Sequence, residues 1–192
     1  GIKEDVGDIM LNLKNVRVKV SGDEPVEVRI EKSGTGVITA ADIKTTADEA
    51  LAALVADQLV QRGIDRSALD DGRLPRICGL FKDRCDTTVA LANWAAVFYA
   101  DVHPSAADLA QHVTDAVKPA LAMLSEKLSA CAWDKANIAA AIKEVLAANG
   151  LKMPQLAMPV RVLVAGNAHT PSLDAVLELF NREKIIERLK TA

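Results

Sequence analysis

Apolar positions recur along this chain with two different periods, and the change from one to the other divides it. Over residues 4–13, Val6, Ile9, Met10 and Leu13 share one helical face while Asp5 and Asp8 take the other, which predicts a short amphipathic helix. From Val16 the period falls to two. Val16, Val18 and Val20 alternate with other residues, as do Val26, Val28 and Ile30, and Ser21-Gly22-Asp23-Glu24-Pro25 between them reads as a turn. Successive strand side chains point to opposite faces, so this pattern predicts two strands, each apolar on one side. Ser33-Gly34-Thr35-Gly36 predicts a second turn into a third strand at 37–39. One helix and about three strands within residues 1–43 would make a small α/β piece near the lower size limit for independent folding.

After Ile43 the texture becomes helical. Residues 47–62 predict an alanine-rich helix with Leu51, Leu54, Val55 and Leu59 inward and Gly63 as its stop. An acidic loop or short helix follows at 66–71, then 73–83 and 87–99 read as two helices or one long one. Pro104 and Ser105 break the chain and cap the next helix, and 118–131 and 134–149 continue the run to Gly150. Met158-Pro159-Val160-Arg161-Val162-Leu163-Val164 is apolar enough for either strand or helix, and Gly166-Asn167 is a turn. Ser172 caps a helix over 173–179, and 184–189 forms the last. The fold class expected is therefore mainly α, with subdomains at 44–99 and 100–192 behind the α/β piece 1–43.

Composition sharpens this picture. Alanine is abundant and only 3% of residues are aromatic, which favours close helix packing over an aromatic-rich sheet sandwich. Lys+Arg 23 against Asp+Glu 26 leaves a net charge of −3, so no long-range positive field draws nucleic acid to the whole molecule. Any such site must be a local patch, and DNA binding by the chain itself is not expected. Cys78, Cys85 and Cys131 are odd in number and lack CxxC spacing, which argues against a disulfide scaffold or zinc ribbon and for a reducing, cytoplasmic setting. No apolar run nears the roughly 20 residues that cross a bilayer, so no membrane partner is expected. Gly1 stands where an initiator methionine would, which reads as a processed chain or a segment from within a larger protein.

Catalytic signals are scarce. His103, His112 and His169 form no HxxxH or HExxH pair, so no metal is expected. Gly34-Thr35-Gly36 leads into no helix and no Gly-Lys-Ser/Thr, which makes it a turn and not a phosphate loop. Cys78 and Cys85 share a helical face and read as small buried hydrophobes. Nothing resembles a nucleophile elbow or a carboxylate pair beside a histidine. Local charge says more. Segment 62–84 holds Arg62, Arg66, Arg73, Arg76, Lys82 and Arg84 against four acids, segment 151–192 holds six cations against four acids, and 101–150 is net −2. Two mildly basic zones flank an acidic middle, so one RNA strand could be gripped at two places, unless these are ordinary solvated faces.

Leu80-Phe81-Lys82-Asp83-Arg84-Cys85-Asp86-Thr87, Trp133 with Ile138, Gly150-Leu151-Lys152, and Met158-Pro159-Val160-Arg161-Val162 through Gly166 to His169-Thr170-Pro171-Ser172-Leu173 follow one another in a familiar order. From Ile43 onward the sequence resembles the C-terminal, anticodon-binding region of bacterial glutamyl-tRNA synthetases, the glutamate–tRNA ligases. The resemblance implies a helical pair of subdomains that binds the anticodon arm of tRNA(Glu). It further implies that Arg84 contacts an anticodon base and that Arg161, Thr170, Pro171 and Leu173 line the other base pockets. The chemistry suits those residues: a planar guanidinium bonds a base edge through two N–H groups, and unstacked bases are clamped by apolar side chains and backbone. Asp174 stands where the family often carries a stacking aromatic. The alternative for Arg84 is an ion pair with Asp83 or Asp86. The family's catalytic signatures are missing: no His-x-Gly-His occurs, and Lys152-Met153-Pro154-Gln155 echoes KMSKS only superficially. The chain alone is thus expected to be no enzyme and to need no cofactor.

The opening segment carries a different resemblance. Gly1-Ile2-Lys3-Glu4-Asp5-Val6 through Leu11-Asn12-Leu13-Lys14, Pro25-Val26, and Gly36-Val37-Ile38-Thr39-Ala40-Ala41-Asp42-Ile43 look like part of the N-terminal domain of bacterial RNA polymerase subunit alpha. That implies a chimera, engineered or natural, joined near Ile43. Its alternative function is a subunit-interaction or structural module of the transcription machinery. The apolar face of the N-terminal strands is expected to pack on the helical part or on a second copy of the chain.

Overall fold

The computed structural model describes residues 15–19, 25–29 and 40–192, with side chains from Ile43 onward. Strands β1 (Asn15–Lys19) and β2 (Pro25–Arg29) pair antiparallel, Val16 opposite Val28 and Val18 opposite Val26. The expected α/β piece of one helix and about three strands is overturned. Among the described residues this hairpin has no third strand, and from Ala40 the chain is helical to its end. The helix expected at 4–13 and the strand expected at 37–39 lie outside the described residues. The physical reason is visible at α1 (Ala40–Thr45): it carries Ile43, fully buried, into a helical core, so residues 40–45, expected at the end of the α/β piece, belong to a helix layer.

The chain divides into two compact units, Gly1–Tyr99 and Ala100–Ala192. In the first, α2 (Asp48–Gln61) buries Leu51, Val55 and Leu59, while Leu54 is only half-buried. It ends where Gly63 takes φ +93°, which lets the Gly63 N–H reach the Val60 carbonyl at 3.0 Å and the Ile64 N–H reach Leu59 at 3.1 Å, the closing pattern of a Schellman cap. A 3₁₀ turn, Arg66–Leu69, is capped by Asp65, whose carboxylate accepts from the Ser67 N–H at 3.0 Å and is thereby held below the usual carboxylate range. Helix α3 (Leu74–Phe81) and helix α4 (Thr88–Ala96) both pack on α2. They are two helices and not one because a second 3₁₀ turn, Lys82–Arg84, and the Thr87 N-cap intervene. Phe81 closes the core, stacked on Trp94 at 5.0 Å and met edge-on by Phe98 at 5.9 Å.

In the second unit, Ser105 caps α5 (Ala106–His112), and Asp134 caps α7 (Lys135–Asn149) through the Asn137 N–H at 2.9 Å. Helix α6 (Lys118–Ala130) lies against α7. The apolar segment at 158–164 is helix: α8 (Met153–Ala165) starts with Pro154 in its first turn, where a missing N–H costs nothing, and ends at Gly166 with φ +69°. Helices α9 (Leu173–Glu178) and α10 (Arg182–Leu189) complete the unit. Arginines tie its corners. Arg182 donates to the Cys131 carbonyl at 2.6 Å and lies 5.4 Å over the Trp133 ring, whose indole N–H bonds the Phe180 carbonyl at 2.9 Å. Arg188, 6% exposed, donates to Val164 at 2.6 Å and Ala100 at 2.8 Å.

Arg188→Leu leaves the Val164 and Ala100 carbonyls without this donor, a cost that the apolar leucine offsets only in part. The expected loss is about 2–4 kcal/mol of unfolding free energy, read from the urea midpoint. An unchanged midpoint would show that those carbonyls find other donors.

Candidate nucleic-acid interface

Phe81 and Cys85 are both buried, four residues apart, and the residues between them form a 3₁₀ turn in which Lys82 is half-buried and Asp83 and Arg84 are exposed. The Cys85 N–H closes it on the Lys82 carbonyl at 3.2 Å. Arg84 is exposed, and among the described residues it forms no ion pair with Asp83, Asp86 or any other acid. Its neighbours in the basic zone are engaged: Arg62 with Asn93 at 2.7 Å, Arg66 with Asp57 at 2.7 Å, and Lys82 with Asp48 at 2.8 Å. Arg73 pairs with Asp71 and lies 4.8 Å over the Tyr99 ring, and the Tyr99 hydroxyl donates to Asp71 at 3.3 Å. Burial pushes the Tyr99 phenol up, with the Asp71 charge adding to it. An exposed guanidinium with no internal acceptor can bond a base edge or a phosphate.

In the second unit the sequence-selected residues come together, with most of them inside. Arg161, half-buried on α8, donates from Nη2 to the Pro171 carbonyl at 3.4 Å, and the Thr170 hydroxyl donates to the same carbonyl at 2.9 Å. That oxygen therefore holds the 167–172 loop against the helix. Thr170, Pro171 and Leu173 are buried, so they shape the loop and do not form its open surface. The loop's outward residues are Asn167, His169 and Ser172. Sequence reasoning passed over them as a turn, a stray histidine and a cap. No local pattern marks them, because Thr170, polar like His169, turns inward while His169 turns outward. Asn167 bends the loop, its Oδ1 accepting from the His169 N–H at 2.8 Å. Ser172 precedes α9 without a side-chain capping bond, and Asp174 accepts from the Ala175 N–H at 2.9 Å in the first turn. Beside α8 a cleft of about 330 Å³ opens against α5, lined by His112, Leu151, Pro154, Gln155, Met158 and Pro159 among others.

His103 and His169 are exposed and His112 half-buried, and no group of three metal-ligating side chains occurs among the described residues. No described helix is long and apolar enough to cross a membrane.

Residues 47–192 match the family model described as "Anticodon binding domain". The chain is 69% identical over 155 residues to the glutamate–tRNA ligase of Paracidovorax citrulli, a match that takes in 81% of this chain and 32% of that protein. The glutamate–tRNA ligase of Albidiferax ferrireducens is 64% identical over 154 residues, 80% of this chain and 32% of that protein. The chain thus spans about a third of the length of these curated relatives. Its fold is that of part of a solved glutamate tRNA ligase from Elizabethkingia meningosepticum, with TM-score 0.72 and 19% identity over 80% of this chain and 30% of that one. The matched family region begins at residue 47, and these findings lend no support to an RNA polymerase alpha fragment at 1–43 or to a chimera.

The thiols report whether the Arg84 turn is seated. Burial raises the Cys85 thiol to about 11 and Cys78 higher still, with Asp86 and Asp48 adding to the respective shifts. A thiol raised on folding stabilises the fold below its ordinary value near 9 and loses that contribution as pH climbs past it. At pH 8, iodoacetamide should therefore modify half-buried Cys131 while Cys78 and Cys85 stay unmodified until denaturant is added. Peptide mass mapping checks this, and early labelling of Cys85 would mean that the turn opens.

Proposed function

The chain belongs to the anticodon-binding domain family, and from that premise we propose that it is the anticodon-reading module for tRNA(Glu), acting in the cytoplasm, with subdomains at 44–99 and 100–192. The observation that carries the reading is the 69% identity to a glutamate–tRNA ligase across the family region. The exposed, unpaired Arg84 supports it locally. Arg84 contacts an anticodon base through its two parallel N–H groups. Arg161 contacts another, aimed by the Pro171 carbonyl. Thr170, Pro171 and Leu173 are the buried frame that holds the loop surface to the RNA. Discrimination arises because a base presenting the wrong edge leaves these donors unmatched, whereas lysines at the surface meet phosphate and read nothing. The subunit-interaction reading, which rested on residues 1–43, draws no support from any observation and is not carried further.

As it stands the chain binds and does not catalyse, because it contains neither of the ATP-holding signatures of the class I synthetases. Pyrophosphate exchange with ATP and glutamate, and aminoacylation of tRNA(Glu), should stay at the level of a buffer control. Turnover above it would overturn that part of the reading.

Arg84→Ala and Arg161→Ala should each cost about 1–3 kcal/mol of affinity for tRNA(Glu) and leave a non-cognate tRNA nearly unaffected. Fluorescence anisotropy titrations check this, with circular dichroism to establish that both variants are folded. Equal weakening of both tRNAs would make that arginine a phosphate contact.

A further inference from the structure

Lys82 opens the turn that Arg84 ends, and its ammonium is held at two points. It donates to Asp48 Oδ1 at 2.8 Å and to the Thr46 carbonyl at 3.2 Å. Thr46 follows the C-terminal end of α1, where carbonyls carry partial negative charge, and Asp48 lies in the first turn of α2, where amides carry partial positive charge. A cation at one helix end and an acid at the next are both favourable, so the bridge closes the corner between two helices. Room for it comes from Gly79. A Cβ at that position would lie 2.5 Å from Asp48 Oδ2 and 3.0 Å from its Cγ. The glycine sits inside α3, where alanine would be the better helix former, so space for the carboxylate and not backbone conformation accounts for it.

We propose that Gly79, Asp48 and Lys82 form a positioning latch that sets the reach of Arg84 and so the discrimination of anticodon bases. This rests on Arg84 touching a base. The turn is closed by the Cys85 N–H on the Lys82 carbonyl, so the placement of Lys82 is passed to Arg84 two residues later. Asp83 and Arg84 are exposed, and neither side chain is paired among the described residues, so Lys82 is the residue of the turn whose side chain is anchored. A two-bond contact to a base edge tolerates little displacement, whereas a phosphate contact tolerates much. Loosening the latch should therefore cost recognition before it costs binding.

The test uses the full chain, tRNA(Glu) and a non-cognate tRNA, titrated at several salt concentrations. Gly79→Ala displaces the Asp48 carboxylate without changing any charge, and it raises helix propensity, which guards against a variant that merely unfolds. Lys82→Met removes the ammonium and keeps the stem. Each should lower the ratio of cognate to non-cognate affinity by about 3- to 10-fold, a part of what a lost base contact costs, and leave the salt slope as it was. The double variant Lys82→Met with Arg84→Ala should be no worse than Arg84→Ala alone, because the latch acts through Arg84. A Lys82→Met that weakens both tRNAs alike and flattens the salt slope would make Lys82 a phosphate contact and overturn the proposal. Full discrimination in Gly79→Ala and Lys82→Met, with loss in Arg84→Ala, would overturn the latch alone. Full discrimination in Arg84→Ala would overturn the base-contact reading and the latch with it.

Discussion

The first unit depends on the burial of Phe81 against Trp94 and Phe98, in a chain where only 3% of residues are aromatic. Burying one such side chain contributes about 2–3 kcal/mol, and its ring contacts add about 1 kcal/mol more. The geometry that follows matters as much as the energy. Phe81 fixes where α3 ends, and Cys85 returns the chain to the core four residues later. The chain between them turns outward, exposing Asp83 and, as the last member of the turn, Arg84. Thr87 then restarts the helix by accepting from the Ala90 N–H at 3.0 Å. An exposed guanidinium beside a well-packed core is the outcome of this spacing, and it is what a rigid recognition element needs.

The second unit meets a different constraint. Its helices end inside the fold, where unpaired carbonyls would be costly, and arginines supply the missing donors. Arg188 serves the end of α8 and the Ala100 carbonyl, and Arg182 serves the end of α6. Burial lowers the pKa of Arg188, which still remains the donor that the corner requires. Arg188 is buried, so its charge stabilises the protein without adding to the open surface. Lys184 is also engaged, 3.7 Å from Asp101. Counting charges along the sequence therefore overstated the basic surface, because a cation buried as Arg188 is spends its donors inside the protein.

The candidate site was legible in unequal parts. Arg84 could be singled out through the resemblance, since its motif is short and contiguous, but the turn that exposes it was not legible: the stretch reads as helix with Cys78 and Cys85 on one face, and the break at Lys82–Arg84 is seen only in the fold. Arg161 was legible as a residue but not in its surroundings: nothing local says that a helical arginine will meet the carbonyl of Pro171, ten positions on. Thr170, Pro171 and Leu173 were selected for RNA contact, yet they are buried, while Asn167, His169 and Ser172 face outward. A loop has no fixed period, so its inward and outward residues are sorted only by what it packs against.

Most helices from residue 47 on, and several of their ends, were legible in the chain because caps and stops are local. Gly63, Gly150 and Gly166 take positive φ where helices close, and Ser105, Asp134 and Thr87 accept from the amides of the next turn. The sequence also carried the family, since motif order is a property of the chain. Three features required the packed fold. It made the ambiguous segment 158–164 a helix, because Leu156, Val160, Leu163 and Val164 could then bury together. It drew Ala40–Thr45 into the helical core through Ile43, against the reading of that stretch as the edge of an α/β piece. And it decided which cations stay open, because pairing partners such as Asp48 and Lys82 lie 34 residues apart and meet only when two helices have packed. Local chemistry writes the elements, while burial and long-range pairing choose among their surfaces.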